Sequence, residues 1–443
     1  MKDKNLILLA FAVLLLIFNL SCSSDSVYID GGVVIGGDDD FICDISSGFS
    51  FVGASINSKG EWVACGSKGI AYGNGSRFDY HIISMNTGPK EFDKIVSLND
   101  YGEFIAVFDT GIYYGDLTGY LVQLDSSSQG EYLSAKINNN GLWVVSSDEG
   151  VLIGIADQTP VFLDYVANEG EPTKLALNNY DEFVVAGSLQ VLYGNVDEDG
   201  NVNLYSSDPV SVYYDMPGVD INTFGNFIAT GSIQTILGNA SETNNKTAKV
   251  LRKKEVKVDL SKFKDIPIAV SSIKKSTKSK LKLNYHYTPL FKKLKTRKAI
   301  KDIKALVEYH SADINNYGDI IASGYDYLIV NDQNYSPVTA QNEMVGVAID
   351  NNGNWVAVGT YGLYYNNSKI YDAMNSGDYL SFSMDENGNF ICATSKSVYT
   401  YSYSQDALSD QGPVADLNYP VAADINNGRW ISVGNYGVLL WNY

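Results

Sequence analysis

Asp350-Asn351-Asn352-Gly353-Asn354-Trp355-Val356-Ala357-Val358-Gly359-Thr360-Tyr361-Gly362-Leu363 is the clearest copy of a phrase that recurs nine times along this 443-residue chain. It reads as a turn, an aromatic residue, a short buried strand, a glycine turn and a further strand. The aromatic position aligns the copies at Trp62, Phe104, Trp143, Phe183, Phe227, Ile320, Trp355, Phe390 and Trp430, with Ile320 the one non-aromatic member. Successive gaps are 42, 39, 40, 44, 93, 35, 35 and 40 residues, so one interval stands apart. A repeat of this period sets the architecture before any local propensity does.

The residues around the aromatic carry hairpin chemistry. Asn or Asp stands five residues before it at Asn57, Asn99, Asn138, Asn178, Asn222, Asn315, Asp350 and Asp385. Glycine usually stands two residues before it, replaced once by Asp181, and the last copy has a shorter turn with Asn426 and Gly428. Glycine supplies positive φ, and Asn or Asp bonds its own backbone in a tight turn. Short runs of small apolar residues precede the turn, as in Val345–Ile349, and follow the aromatic, as in Val63-Ala64-Cys65. Such runs, bounded by Gly and Asn, predict strands. Four strands in about 35 to 45 residues is the size of one propeller blade.

The phrase resembles the repeats of exported bacterial β-propellers, of the two-component-regulator and photosystem-assembly-factor types, over most of residues 41–443. The resemblance implies an all-β propeller of about nine four-stranded blades, with loops around a central channel available for binding. The sialidase-type box spaces its Asp, Gly and Trp differently, so no sialidase chemistry is carried over. The last copy stops at its third strand, Val438–Trp441. The segment Phe41–Ile45 is expected to supply the missing fourth strand and join the ends of the ring.

Met1–Ser21 reads as an export signal: Lys2 and Lys4 precede the apolar core Leu6–Leu20, which is short for a membrane span. Leu20-Ser21-Cys22 resembles a lipoprotein processing site, with Cys22 as the lipidated residue, although Asn19 stands where such sites carry an aliphatic residue. The expected place is the cell envelope, lipid-anchored at the outer membrane. Residues 22–40, rich in Ser, Gly and Asp, read as a flexible tether. Cys65 and Cys392 fall at similar strand positions and read as small core residues.

Charge is divided unevenly. The chain carries 32 basic and 51 acidic residues, a net of −19, yet residues 241–309 hold 20 basic and 6 acidic ones and fill the long interval. This Lys-rich stretch reads either as a degenerate blade, with Ile266–Val270 and Leu281–Tyr285 as strands, or as an insertion. Lys253, Lys254, Lys274, Lys275, Lys292, Lys293 and Arg297 are its candidate contacts to an anionic ligand such as an acidic glycan or lipid headgroups. Aromatic interleaving is sparse there, which argues against nucleic acid as a partner.

No catalytic constellation is visible. The three histidines, His81, His286 and His310, have no metal-binding spacing, and no phosphate loop, nucleophile elbow or zinc motif occurs. Asp197-Glu198-Asp199-Gly200 lacks the distal Glu of a calcium loop and reads as a turn. No cofactor and no metal is expected. The leading expectation is a non-enzymatic binding or scaffolding propeller with an envelope protein or acidic glycan as partner. The alternative is an enzyme acting on envelope or dietary polysaccharide through carboxylates at the channel mouth. Tryptophan at one place in many copies reads as packing between blades rather than as a glycan platform.

Overall fold

A computed structural model describes residues 50–442 apart from connecting segments, the longest being 83–94, 207–217, 253–281, 286–308 and 335–343, and before residue 50 three short strands. The described residues are all-β and form nine sheets in chain order, antiparallel except for one outer strand. The first sheet shows the plan: Phe51–Ile56, Trp62–Gly66, Gly69–Asn74 and Arg77–Ile82, each strand pairing with the next. In the other eight the first strands are Ile95–Leu98, Tyr132–Ile137, Pro172–Leu177, Gly218–Ile221, Tyr309–Ile314, Met344–Ile349, Tyr379–Met384 and Pro420–Asn426.

Packing arranges these sheets as a ring. The first strand of each sheet lies against the first strand of the next, and Pro420–Asn426 returns to Phe51–Ile56. The buried apolar residues divide into nine cores, each built by two neighbouring sheets. The core of Phe51, Trp62, Ile431 and Val433 joins the last sheet to the first. This is a β-propeller. Each sheet is covered on both faces, so the second strands are buried over nearly their whole length, as in Trp62–Gly66 and Trp355–Gly359. That is why they read as unbroken apolar runs and not as an alternating pattern. Trp62, Trp143 and Trp430 are wholly buried, as a packing role requires.

In the first five sheets the aromatic lies in register with a third-strand glycine: Trp62 with Gly73, Phe104 with Gly115, Trp143 with Gly154, Phe183 with Gly194 and Phe227 with Gly238. A methyl group at Gly154 would overlap the Trp143 ring. The glycine supplies the space the ring occupies. The turn before the aromatic takes the backbone its sequence demands, with φ of +80° at Gly60 and +61° at Asp181.

Closure follows the expected route. Asp40–Asp44 pairs antiparallel with Gly437–Asn442, placing Cys43 opposite Val438, and so completes the ninth sheet. Gly32–Gly36 and Val27–Ile29 extend that sheet outward, within the stretch read as a tether. Of the Lys-rich stretch, Lys249–Arg252 forms the fourth strand of the fifth sheet and Lys282–Tyr285 adds a parallel outer strand to the fourth. The first strands of the fifth and sixth sheets are direct neighbours at the axis. Residues 266–270, Cys22 and the signal segment lie outside the described residues.

Candidate functional site

The turns between first and second strands gather at one end of the ring axis. Their Asn side chains do more than close a turn. In Asn178, Oδ1 accepts from the N–H of Tyr180 and Glu182, at 2.9 and 3.1 Å. Its Nδ2 donates to Glu182 Oε2 at 2.7 Å and to Asn222 O of the next sheet at 2.9 Å. All four bonding sites of the buried amide are used, as burial requires. The same cross-sheet donation runs from Asn57 to Asn99, Asn99 to Asn138, Asn138 to Asn178, Asn222 to Asn315 and Asn315 to Asp350. Asp350 and Asp385 cannot donate. There the polarity inverts: Asp385 accepts from Asn389 Nδ2 and, across the junction, from Gly428 N–H at 2.7 Å.

Two residues before this Asn, a second set of side chains caps the exposed edges of the inner strands. Ser55 accepts from Leu98 N–H, Ser97 from Ile137 N–H, Asp220 from Ile314 N–H, Asp313 from Ile349 N–H and Asp424 from Ile56 N–H. An inner strand has no partner on its axial side, and these oxygens satisfy its N–H groups. The third sheet carries Lys136 at this place.

The axis is thereby strongly polar. Burial, and then the nearby Asp313 carboxylate, push the Asp220 carboxyl well above its ordinary range. Burial also raises Asp424, opposed by the N–H of Ile56 and by Lys136. Lys174, two residues before Ala176 on the fourth inner strand, is lowered by the loss of hydration and then by Lys136. Charges from the third, fourth and ninth sheets therefore feel one another across the axis.

Where the Asn turns converge, a cavity of about 270 Å³ opens, lined by six sheets, the third to the eighth. Asp220 and Asp313 lie in it, with Asn179, Thr223, Asn316 and Glu386 on its wall. Among the described residues no group of three or more metal-ligating side chains occurs.

The sequence candidates Lys253, Lys254, Lys274, Lys275, Lys292, Lys293 and Arg297 lie outside the described residues. Cys65 and Cys392 are buried, in line with the core reading, and burial pushes the Cys392 thiol well above its ordinary range. The axial residues Lys136, Lys174, Asp220, Asp313 and Asp424 were not singled out from sequence. Their signal was there: a charged residue inside an apolar strand, two or four places before the turn Asn. The tyrosines now divide. Tyr113, Tyr114 and Tyr364 are buried, whereas Tyr101, Tyr180 and Tyr317 are exposed.

No protein-family model matches the chain, and no curated protein matches it in sequence. Solved structures resemble it. The Dos1 propeller aligns with a TM-score of 0.47 and 11% identity over 80% of this chain and 93% of that one. YCF48, solved bound to a peptide, gives 0.45 and 7% over 92% and 98%. Virginiamycin B lyase from Staphylococcus aureus gives 0.43 and 6% over 73% and 98%. These are β-propellers, and at such identities the likeness concerns the fold alone.

Proposed function

We propose that this protein is a cell-envelope propeller, anchored by a lipid on Cys22, that binds a ligand on the face where the Asn turns converge. The observation that supports this most is the axial cavity, a concave polar site that six sheets build together and no single sheet could. The Lys-rich stretch, through Lys253, Lys254, Lys274, Lys275, Lys292, Lys293 and Arg297, adds a contact to anionic lipid headgroups or acidic glycan.

The Asp220–Asp313 pair is the observation that favours the alternative, an enzyme acting on polysaccharide, because paired carboxyls can divide acid and base roles. Against it stands their shared position with Ser55, Ser97 and Asp424, which cap strand edges in the same way. A carboxylate committed to a backbone N–H is part of the frame.

Three measurements on the expressed protein test the reading. Cys22→Ser should move the protein from the membrane fraction to the soluble one; unchanged fractionation would remove the anchor. Replacing the seven named cations by glutamine should abolish salt-sensitive binding to anionic vesicles or acidic glycan; equal binding would make the stretch a passive insertion. A paired Asn179→Trp and Thr223→Trp substitution, which fills the cavity wall, should abolish capture of oligosaccharide or peptide probes that the native protein binds. Undiminished capture would move the site elsewhere.

A further inference from the structure

Six large hydrophobic side chains are exposed among the described residues: Tyr101, Tyr120, Tyr180, Phe224, Tyr317 and Tyr403. Single exposed apolar residues are ordinary on a protein surface. These six are not scattered, because every one lies on a first-to-second or third-to-fourth strand turn, and both kinds of turn lie at the same end of the ring. Four share one place in the repeat, two residues after the buried Asn: Tyr101, Tyr180, Phe224 and Tyr317, exposed by 71%, 67%, 66% and 80%. The fold does not require an aromatic there, since Lys59, Asn140, Asn352 and Asn387 hold the same place in other sheets.

Tyr180, Phe224 and Tyr317 stand on three consecutive turns. Those turns are tied together by Asn178 Nδ2 to Asn222 O and by Thr223 N–H to Asn316 Oδ1. Asn179, Thr223 and Asn316, immediately before the three aromatic residues, line the axial cavity, so the turns that carry the rings border it. Their backbones are held in place, each N–H donating to the preceding buried Asn at 2.9 to 3.0 Å. A rim held in this way loses little freedom when it binds.

Charge selects the occupant. Asp181 and Asp319 flank the rim, Glu386 stands exposed on the cavity wall, and Asp313 lies deeper. The face already holds one cation in the relevant way: Lys59 Nζ of the first turn stands 5.8 Å from the Tyr101 ring centroid of the second. A cation over an aromatic face is attracted by the ring, and the carboxylates add to that attraction.

We propose that the rim of Tyr180, Phe224 and Tyr317 docks a lysine- or arginine-bearing polypeptide segment, with one cationic side chain entering the acidic mouth. The proposal rests on the turn face being the binding face. An anionic segment would be repelled there, and a neutral glycan would stack on the rings without forming an ion pair with the carboxylates.

The test is calorimetric titration of the purified protein with a hepta-arginine peptide, beside hepta-glutamate and neutral maltoheptaose. A variant carrying Tyr180→Ser, Phe224→Ser and Tyr317→Ser keeps every charge and removes only the rings. Hepta-arginine should bind the native protein and hepta-glutamate should not. The triple variant should bind hepta-arginine about tenfold more weakly while melting at the native temperature, because the rings are exposed. Equal hepta-arginine affinity in the triple variant would overturn the proposal. Binding of maltoheptaose in place of the peptide, lost in the triple variant, would overturn the cationic partner and leave the turn face as the binding face. Ring-independent binding of every probe would remove both.

Discussion

The first five sheets and the last four pack the same ring differently. In the first five, an aromatic side chain fills the space left by a glycine on the neighbouring strand. In the last four there is no such glycine. Phe390 stacks on Tyr401 with centroids 4.9 Å apart, and Trp430 stands opposite Trp441. In the sixth and seventh sheets the place belongs to Asn331 and Asn366, at φ of +53° and +42°, whose Oδ1 accepts from Ile320 and Trp355 N–H. The turn chemistry diverges too. Up to the sixth sheet an Asn amide donates across each junction, while Asp350 and Asp385 can only accept. The chain compensates at the residue four places on, which is Glu182 after Asn178 but Asn354 after Asp350. What is preserved around the ring is a filled volume and a satisfied hydrogen bond, not a residue type.

Substitutions that carry one solution into the other arm break or sharpen this contrast. The largest effect is expected from Gly154→Val, which forces a branched side chain into the Trp143 ring and should cost about 3 kcal/mol by chemical denaturation. The corresponding place in the eighth sheet already holds Tyr401. Next, Asn178→Asp sets a carboxylate against Glu182 and the Asn222 carbonyl and should cost about 2 kcal/mol or more. Adding Glu182→Asn copies the Asp350–Asn354 arrangement and should return much of that loss. Asn366→Ala loses two side-chain hydrogen bonds, from Trp355 N–H and to Asn354 Oδ1, and strains a left-handed backbone, for about 1 to 2 kcal/mol.

The smallest effect is a dependence on pH. Asp220 holds its proton more tightly when folded than when unfolded, so its contribution to stability falls as pH rises above the ordinary Asp range. Asp220→Asn removes that loss. It should raise the melting temperature relative to the native protein at pH 7 and leave the difference small at pH 3. A larger difference at pH 3 would contradict the sign.

Much of the ring was legible in the residues. The aromatic at each copy, the positive-φ glycine or Asp181 before it, and the short apolar strands follow from local chemistry. The closing strand near Phe41 could be inferred because the last copy lacked a partner. The cross-sheet donation was not legible, because Asn178 meets a carbonyl 44 residues away and nothing local names it. The axial carboxyls were hidden for a related reason. Asp220 and Asp313 are 93 residues apart in sequence, and only closure of the ring brings them together. The exposed rim was missed because its tyrosines share a chain with many buried ones, and composition does not separate the two.

The central claim is that one turn does two jobs: its Asn builds the ring, and the residue two places on is free to bind. Melting temperatures of Asn222→Ala and Phe224→Ser, measured side by side, test it most directly. Asn222 is 4% exposed and Phe224 66% exposed. The account predicts a clear fall in melting temperature for Asn222→Ala and none for Phe224→Ser. A fall for Phe224→Ser with Asn222→Ala unchanged would contradict it.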